Sequence, residues 1–310
     1  MGRKKKSRGR KVHGLLLLDK PSGITSNNAL QRVKRLYQAR KAGHTGSLDM
    51  MASGLLPICL GEATKLSTYL LNADKHYLAT CKLGVVTTTG DAVGDEIAVN
   101  KVPELTRDGI EEVLKDFCGE IDQIPPMYSA LKHKGQRLYQ LAYQGIEVER
   151  QPRLVTIYEL SLIDYIAEQI EIEVHCSKGT YIRTLAEDIG NKLGCGAHVS
   201  ALRRLGVGPF CAEQMITATQ IEQLAEQGLD ALDQRLLAMD SVLDHLPAVE
   251  LAENVAYYLS QGQAVVVPRA PTQGLVRIYD NKHIFLGIGE VLDDGRITPR
   301  RLIKLENGEC

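Results

Sequence analysis

The chain has 310 residues, 44% of them apolar, and a formal charge of −1. That is enough to bury a real core, in one large domain or one large plus one small. No run approaches the roughly 18 apolar residues a bilayer span requires, and GLLLLD (14–19) is too short for a signal-peptide core, so neither a membrane segment nor a secretory leader is predicted. The near-zero charge hides an asymmetry. MGRKKKSRGRK opens the chain with seven basic and no acidic residues, leaving 30 basic against 38 acidic elsewhere, or −8. A basic arm (1–11) on an acidic body is a format for nucleic-acid binding, and equally for a solubilising flexible tail. Seven scattered cysteines without a C-x-x-C pair, and eight histidines without an H-E-x-x-H, point to a reducing cytosol and no structural metal.

In chain order, GLLLLD reads as a fully buried strand closed by the turn Pro21-Ser22-Gly23. Leu30, Val33, Leu36 and Tyr37 repeat at helical spacing, with Ser26 as the expected N-cap. The loop GHTGSLDMMASGLLP (43–57) follows, then a helix over 61–72. Tyr77, Ala79, Cys81 and Leu83 alternate as a strand, and 85–95 is turn-rich. Ile110, Val113, Leu114 and Phe117 mark another amphipathic helix. LVTIYELSLIDY (154–165) and QIEIEVHC (169–176) alternate as an expected antiparallel pair of strands, and TYIRTLAEDIGNKLG reads as a helix stopped at Gly194. Residues 211–246 read as helical and acidic. Beyond Pro247 come short strands: QAVVVP, GLVRIYD, HIFLGIGEV and RITPRRLIKL. The mixed order lacks a regular βαβ beat, so the expected class is α+β on a largely antiparallel sheet. The expected divisions are an arm at 1–11, a large domain at 12–246 and a small β-barrel-like module at 247–310.

No GxxxxGK[ST] or GxGxxG loop is present, nor a GxSxG nucleophile turn, which shifts attention to carboxylates. Asp49 follows Gly43, Gly46 and Ser47 on a loop able to fold tightly against a ligand. By spacing alone it reads as a turn or helix cap, with Met50 and Met51 in the core. His44 reads as a satisfied loop histidine. CSKGTYIRT (176–184) brings Lys178, Tyr181 and Arg183 to a strand-to-helix turn. An inward arginine there requires an anion; an outward one is simply solvated. Tyr77 fits a core position, or a cleft where it stacks a base. Arg203 and Arg204 suit phosphate contacts or plain solvation.

Together, GLLLLDKPSGITSNNALQRVKRLY, AGHTGSLD, ASGLLPICLGEATKLSTYLL, DKHYLATCKLG, PPMYSALKHKGQRLYQLAYQGIEVERQPR, CSKGTYIRTLAEDIG and GCGAHVSALRRLGVGPF closely resemble the TruB family, the bacterial tRNA pseudouridine-55 synthases. The match covers most of residues 13–210 in family order. HIFLGIGEV in the tail resembles, more weakly, a PUA-type RNA-binding module. The resemblance implies a pseudouridine synthase fold and a cytoplasmic enzyme, monomeric and without cofactor, metal, membrane or obligatory protein partner, acting on uridine 55 in the tRNA T loop. It implies that Asp49 is the catalytic nucleophile, Arg183 its partner and Tyr77 the residue stacking on the target base. His44 would take the flipped base's place, Tyr181 and Leu202 would line the uridine pocket, and Lys20 would support the loop. Lys178, Arg203 and Arg204 would contact phosphates. Two departures stand out: Met50, Met51 and Ser53 where the family continues L-D-P-L-A-T-G, and Thr88 where it commonly has aspartate.

The chemistry suits that residue set. Breaking N1–C1′, turning uracil and rejoining it through C5 consumes no energy donor, and water must be kept out. The apolar run after Asp49 is expected to supply that dryness. Two other readings stay open: a non-catalytic RNA-binding factor, and a glycoside hydrolase, which would require a second carboxylate.

Overall fold

The leucines Leu15–Leu18 are buried on both sides. Leu16 and Leu18 enter one apolar cluster while Leu15 and Leu17 enter another. A continuous apolar strand is what a sheet covered on both faces demands. The computed structural model describes residues 9–304. Residues 1–8 of the expected basic arm lie outside that range. At its described end, Arg10 is tied to the body, donating to the Asp233 carboxylate at 2.6 and 2.5 Å and to the Tyr37 carbonyl.

In chain order, β1 (Gly14–Lys20) leads into α1 (Ser26–Leu36), β2 (Ala42–His44) and β3 (Ser53–Leu60). A 3-10 turn, Gly61–Lys65, and the short α2 (Ser67–Asn72) precede β4 (Lys75–Leu83). The hairpin of β5 (Val85–Thr87) and β6 (Glu96–Val99) is followed by α3 (Arg107–Lys115) and β7 (Gly119–Gln123). A second hairpin, β8 (Lys132–His133) with β9 (Gln136–Arg137), runs into α4 (Leu138–Ala142). The pair β10 (Arg153–Ile166) and β11 (Gln169–Cys176) leads to α5 (Ile182–Lys192) and β12 (Ala197–Val207). Next come β13 (Ile216–Thr217), α6 (Ala218–Gln227) and α7 (Leu229–Asp233). The terminal part holds β14 (Ala248–Leu251), α8 (Glu253–Ser260), β15 (Val265–Val266), β16 (Gly274–Asp280), β17 (Phe285–Val291) and β18 (Arg296–Leu302).

The main sheet runs β13-β1-β3-β12-β4-β11-β10-β7, with β2 on β3. Its pairings are antiparallel except β1 with β13 and β3 with β12. The α+β architecture on a largely antiparallel sheet is therefore present. Helices α1, α3, α5 and α6 bury one face; the 3-10 turn, α2 and part of the terminal sheet, through Phe285, Ile288 and Ile303, cover the other. The terminal sheet, β14-β16-β17-β18-β15, has its own core around Val249, Leu259, Val276 and Ile297.

Several local expectations are corrected. Thr25, not Ser26, caps α1, its hydroxyl accepting the Asn28 N–H at 3.1 Å. The predicted helix over 61–72 is a 3-10 turn followed by two short α-turns, because the chain must change direction before β4. The latter half of the 43–57 loop is strand β3, pairing residue by residue with β1 (Leu17 with Pro57, Leu15 with Cys59). Pro57 has no N–H to give to the ladder, but its carbonyl accepts the Thr45 N–H at 3.1 Å. The 85–95 loop contains a hairpin strand, and the terminal module includes α8, whose short amphipathic pattern is masked by Tyr257 and Tyr258. Residues 211–246 are only partly helical.

Gly54 lets β3 meet β12. Its φ is +99°, and a Cβ there would collide with the Arg204 backbone. Leu56, fully buried in β3, has no room to be replaced by a smaller group without leaving a void. Leu56→Ala is expected to destabilise the fold by about 2–5 kcal/mol in chemical denaturation, with an unchanged m-value.

Candidate active site

The strand order β3-β12-β4 sets the site. The loop that enters β3 carries Asp49, Arg204 pairs with Gly54 on β3 and with Tyr77 on β4, and α5 follows β11 with Arg183 in its first turn. Gln123, at the end of β7, anchors the start of α5. Its side chain accepts the Tyr181 N–H at 2.7 Å and donates to the Tyr181 carbonyl at 3.0 Å. Segments more than a hundred residues apart thus meet at one cleft of about 610 Å³. A larger cavity of about 1110 Å³, between α2 and the terminal sheet, contains none of the expected catalytic residues.

Arg183 is buried, and each of its three guanidinium nitrogens has a protein partner. Nε lies 2.9 Å from Asp49 Oδ2, Nη1 donates to the Thr89 carbonyl at 3.0 Å, and Nη2 donates to the Tyr128 carbonyl at 2.8 Å. Nη1 also lies 3.7 Å from Asp91 Oδ2. One guanidinium therefore serves two carboxylates. Asp91 is buried, and its Oδ1 accepts the Thr89 hydroxyl at 2.6 Å and the Val93 N–H at 3.1 Å.

Asp49 differs in exposure. Solvent reaches 43% of its side chain through the mouth of the cleft, while protein surrounds it elsewhere. Those surroundings raise its carboxyl pKa above the ordinary 3.8; Arg183 opposes the rise, Asp91 adds to it and Lys20 opposes it. Only the methionine part of the expected apolar wall is there, Met50 and Met51 lining the cleft. Leu55, Leu56 and Ile58 leave the loop as β3 and fill the cores, while Met50 is 48% exposed on the rim. The free cleft is open to water because the apolar run is committed to the sheet.

Tyr77 and Tyr181 both line the cleft. Burial pushes up both phenols, countered for Tyr77 by Arg204 and for Tyr181 by a hydrogen bond to Ser129. Lys20 is fully buried beside the site, its ammonium donating to the Pro21 carbonyl at 3.0 Å and the Ile24 carbonyl at 2.7 Å. Burial lowers its pKa to about 8 against the pull of Asp49. It holds the turn that in turn touches the Asp49 loop. Leu202 packs in the main core beside the cleft, outside its lining. His44 ends β2, also outside the lining; its Nδ1 is buried without a hydrogen-bond partner, and burial together with Arg204 lowers its pKa.

The three expected phosphate contacts separate. Arg204 is 1% exposed and donates to the carbonyls of Leu55 (2.7 Å) and Gly46 (3.1 Å), so it has no free face for a phosphate. Its charge instead supports the Asp49 loop from below. Arg203 pairs with Asp19 at 2.8 and 3.0 Å. Lys178 is exposed and bound to Asn72 Oδ1 at 3.0 Å. Sequence reading missed Asp91, Gln123 and the rings of Tyr128, Tyr139 and Tyr143 at the cleft. Asp91 carried a signal, since TTTGDAVGD offers a carboxylate in a glycine-rich turn. The tyrosines carried none, because only the tertiary path of 124–145 brings them there.

Two substitutions separate the charges acting on Asp49. Removing the cation with Arg183→Met raises the Asp49 pKa further; neutralising its like-charged neighbour with Asp91→Asn lowers it. Carbon-detected NMR titration of the Asp49 carboxyl reads both, and shifts of the same sign in the two variants contradict this assignment.

Known proteins carry the same organisation. Residues 34–182 match the model of the TruB family pseudouridylate synthase N-terminal domain. Residues 183–244 match the tRNA pseudouridylate synthase B C-terminal domain, and 247–303 match the C-terminal module of pseudouridine synthase II TruB. A protein named tRNA pseudouridine synthase B from Nitrosococcus oceani is 58% identical over 308 residues, covering 99% of this chain and all of that one. Its namesake from Coxiella burnetii is 58% identical over 296 residues, covering 95% and 96%. Among solved structures, a chain of a Cbf5-Nop10-Gar1 complex superimposes with a TM-score of 0.71 at 27% identity, covering 94% of this chain and 84% of that one. A chain of an H/ACA RNP bound to a substrate RNA containing 2′-deoxyuridine does so at 0.72 and 23% identity, covering 98% and 92%, which shows a shared fold. The chain belongs to the TruB family of pseudouridylate synthases.

Proposed function

We propose that this enzyme isomerises uridine 55 in the T loop of tRNA to pseudouridine, with Asp49 as the reacting carboxylate. The observation that carries this reading is the Asp49–Arg183 pair, 2.9 Å apart at a cleft lined by Tyr77 and Tyr181. The names of the 58%-identical relatives supply the tRNA.

A stacked T-loop uridine reaches Asp49 only when everted, which costs a few kcal/mol. Stacking on Tyr77 offsets about 1–3 kcal/mol of that. Tyr181 bounds the base from another side, and His44, at the edge of the site, takes the vacated place in the RNA stack. Asp49 acts as a carboxylate, kept ionised by Arg183 against the surrounding protein. The N1–C1′ bond breaks, uracil turns within the cleft and C5 bonds to C1′; C5 loses its proton and N1 gains one, so the product is an isomer. Because solvent reaches the free Asp49, the RNA itself completes the exclusion of water when it seats over the mouth. Asp91 is occupied by Thr89, Val93 and Arg183, so the site's second carboxylate tunes charge and is not free to activate water as a hydrolase requires. The terminal sheet serves as a PUA-type RNA-binding module, the larger domain (12–246) as the catalytic one, and the enzyme works as a cytoplasmic monomer.

Incubating purified protein with unmodified tRNA transcript and mapping pseudouridine by carbodiimide-dependent reverse-transcription stops tests this. The wild type is expected to modify position 55, and Asp49→Asn to lose roughly 10³-fold or more in rate. Arg183→Met is expected to slow chemistry more than it weakens RNA binding. Modification at another uridine, release of free uracil, or full activity in Asp49→Asn contradicts the reading.

A further inference from the structure

The backbone that presents Asp49 is held from outside by one short segment, residues 22–26. Ser26 is 4% exposed, and Thr25 has taken over the capping of α1. The Ser26 hydroxyl donates to the Leu48 carbonyl at 3.0 Å and accepts the Leu48 N–H at 2.8 Å. A hydroxyl offers one donor and two acceptor lone pairs, so this single group grips both polar atoms of the residue before Asp49. On the far side, Ser22 Oγ donates to the Met51 carbonyl at 2.7 Å and the Gly23 N–H to the Met50 carbonyl at 2.8 Å. Within the loop, the Ala52 N–H donates to the Asp49 carbonyl at 3.2 Å. The carbonyls of residues 48 to 51 are thus all engaged, three of them from 22–26.

Packing anchors only the ends of this turn, through Leu48 and Ala52 in the main core. Asp49 and Met50 are both exposed, and the Asp49 carboxylate leans on the Arg183 guanidinium alone among the bonds and ion pairs of the described residues. Ser26 is absent from the cleft lining, whereas its neighbour Thr25 is present. Whatever Ser26 does for the reaction therefore passes through the Leu48 backbone.

We propose that Ser26, assisted by Ser22, is a positioning residue that fixes the direction of the Asp49 carboxylate. The inference rests on Asp49 being the reacting group. A displacement of about 1 Å in a reacting group is enough to slow a step about 100-fold without altering what binds the substrate. The Asp49–Ala52 bond also makes Met50 the second residue of a β-turn, where proline is favoured, and the Met50 N–H donates to no protein group among the described residues. Met50→Pro should then stiffen the loop by a second route and replace part of the lost grip.

The test uses the full chain with unmodified tRNA transcript, single-turnover rates and RNA dissociation constants. Ser26→Ala is expected to lower the rate about 10- to 100-fold with unaltered RNA affinity. Adding Met50→Pro is expected to recover part of that loss. Ser22→Ala, at an exposed position where folding is not at stake, is expected to lower the rate in the same direction by less. An unchanged rate in the folded Ser26→Ala variant, rate and affinity falling together, or no recovery with Met50→Pro overturns the proposal; if Ser26→Ala does not fold, an unchanged rate in Ser22→Ala overturns it. Asp49→Asn run alongside separates the two levels: if it stays active, the reading of Asp49 fails, and if it is inactive while Ser26→Ala is unimpaired, only the positioning role fails.

Discussion

A single buried guanidinium organises this site. Arg183 presents its N–H donors in a rigid plane, and protein surrounds that plane, with carbonyls from Thr89 and Tyr128 on two sides and the carboxylates of Asp49 and, at ion-pair distance, Asp91 on the others. Burying such a cation without partners would be strongly destabilising, so the β5–β6 hairpin region, the 124–145 segment and the Asp49 loop are each tied to where it sits. The same contacts set the electrostatics. Asp49 lies between a charge that favours its ionised form and one that opposes it, in surroundings that disfavour any charge. A lysine could not replace this arrangement, since it would offer a point charge without the fork.

The sheet makes that meeting possible. Parallel pairing of β3 with β12, allowed by Gly54, lays Arg204 under the Asp49 loop, and antiparallel pairing of β12 with β4 puts Tyr77 beside Arg204. Arg204 is a second buried cation with a different task. It satisfies carbonyls from Gly46 and Leu55 on either side of the loop, so the strand and the loop that precedes it are held in one geometry. Lys20 is a third, holding the turn 21–24 from which Ser22 and Gly23 reach the loop. These three buried cations outnumber the carboxylates of Asp49 and Asp91, so the site is basic at its base and open at its mouth, a form suited to a polyanionic substrate that brings its own lid.

The departures Met50 and Thr88 are accommodated differently. Met50 lies in a turn already closed by hydrogen bonds, so the side chain there is not required for the backbone path. Thr88 faces its own hairpin, its hydroxyl accepting the Asp95 N–H at 3.1 Å, while the carboxylate that reaches Arg183 comes from Asp91. Neither alters a group in direct contact with Asp49.

Periodicity and composition determined the elements that bury a regular face. The tetraleucine strand, the α1 and α3 stripes, the alternation of β10 and β11 and the glycine stop of α5 were legible because each depends on neighbours within a few residues. The motif around Asp49 and the CSKGTYIRT turn were legible as a pair only through resemblance, since local spacing favoured a cap and a surface arginine. The tertiary structure decided the rest. It turned GLLPICL from a loop wall into a two-sided core strand, buried Arg204 where a phosphate contact was expected, moved the cap from Ser26 to Thr25, and brought Asp91 to Arg183. Each of these depends on which strand lies beside which. A buried charge or a freed hydroxyl is assigned by partners more than twenty residues away, and no short window of sequence contains them.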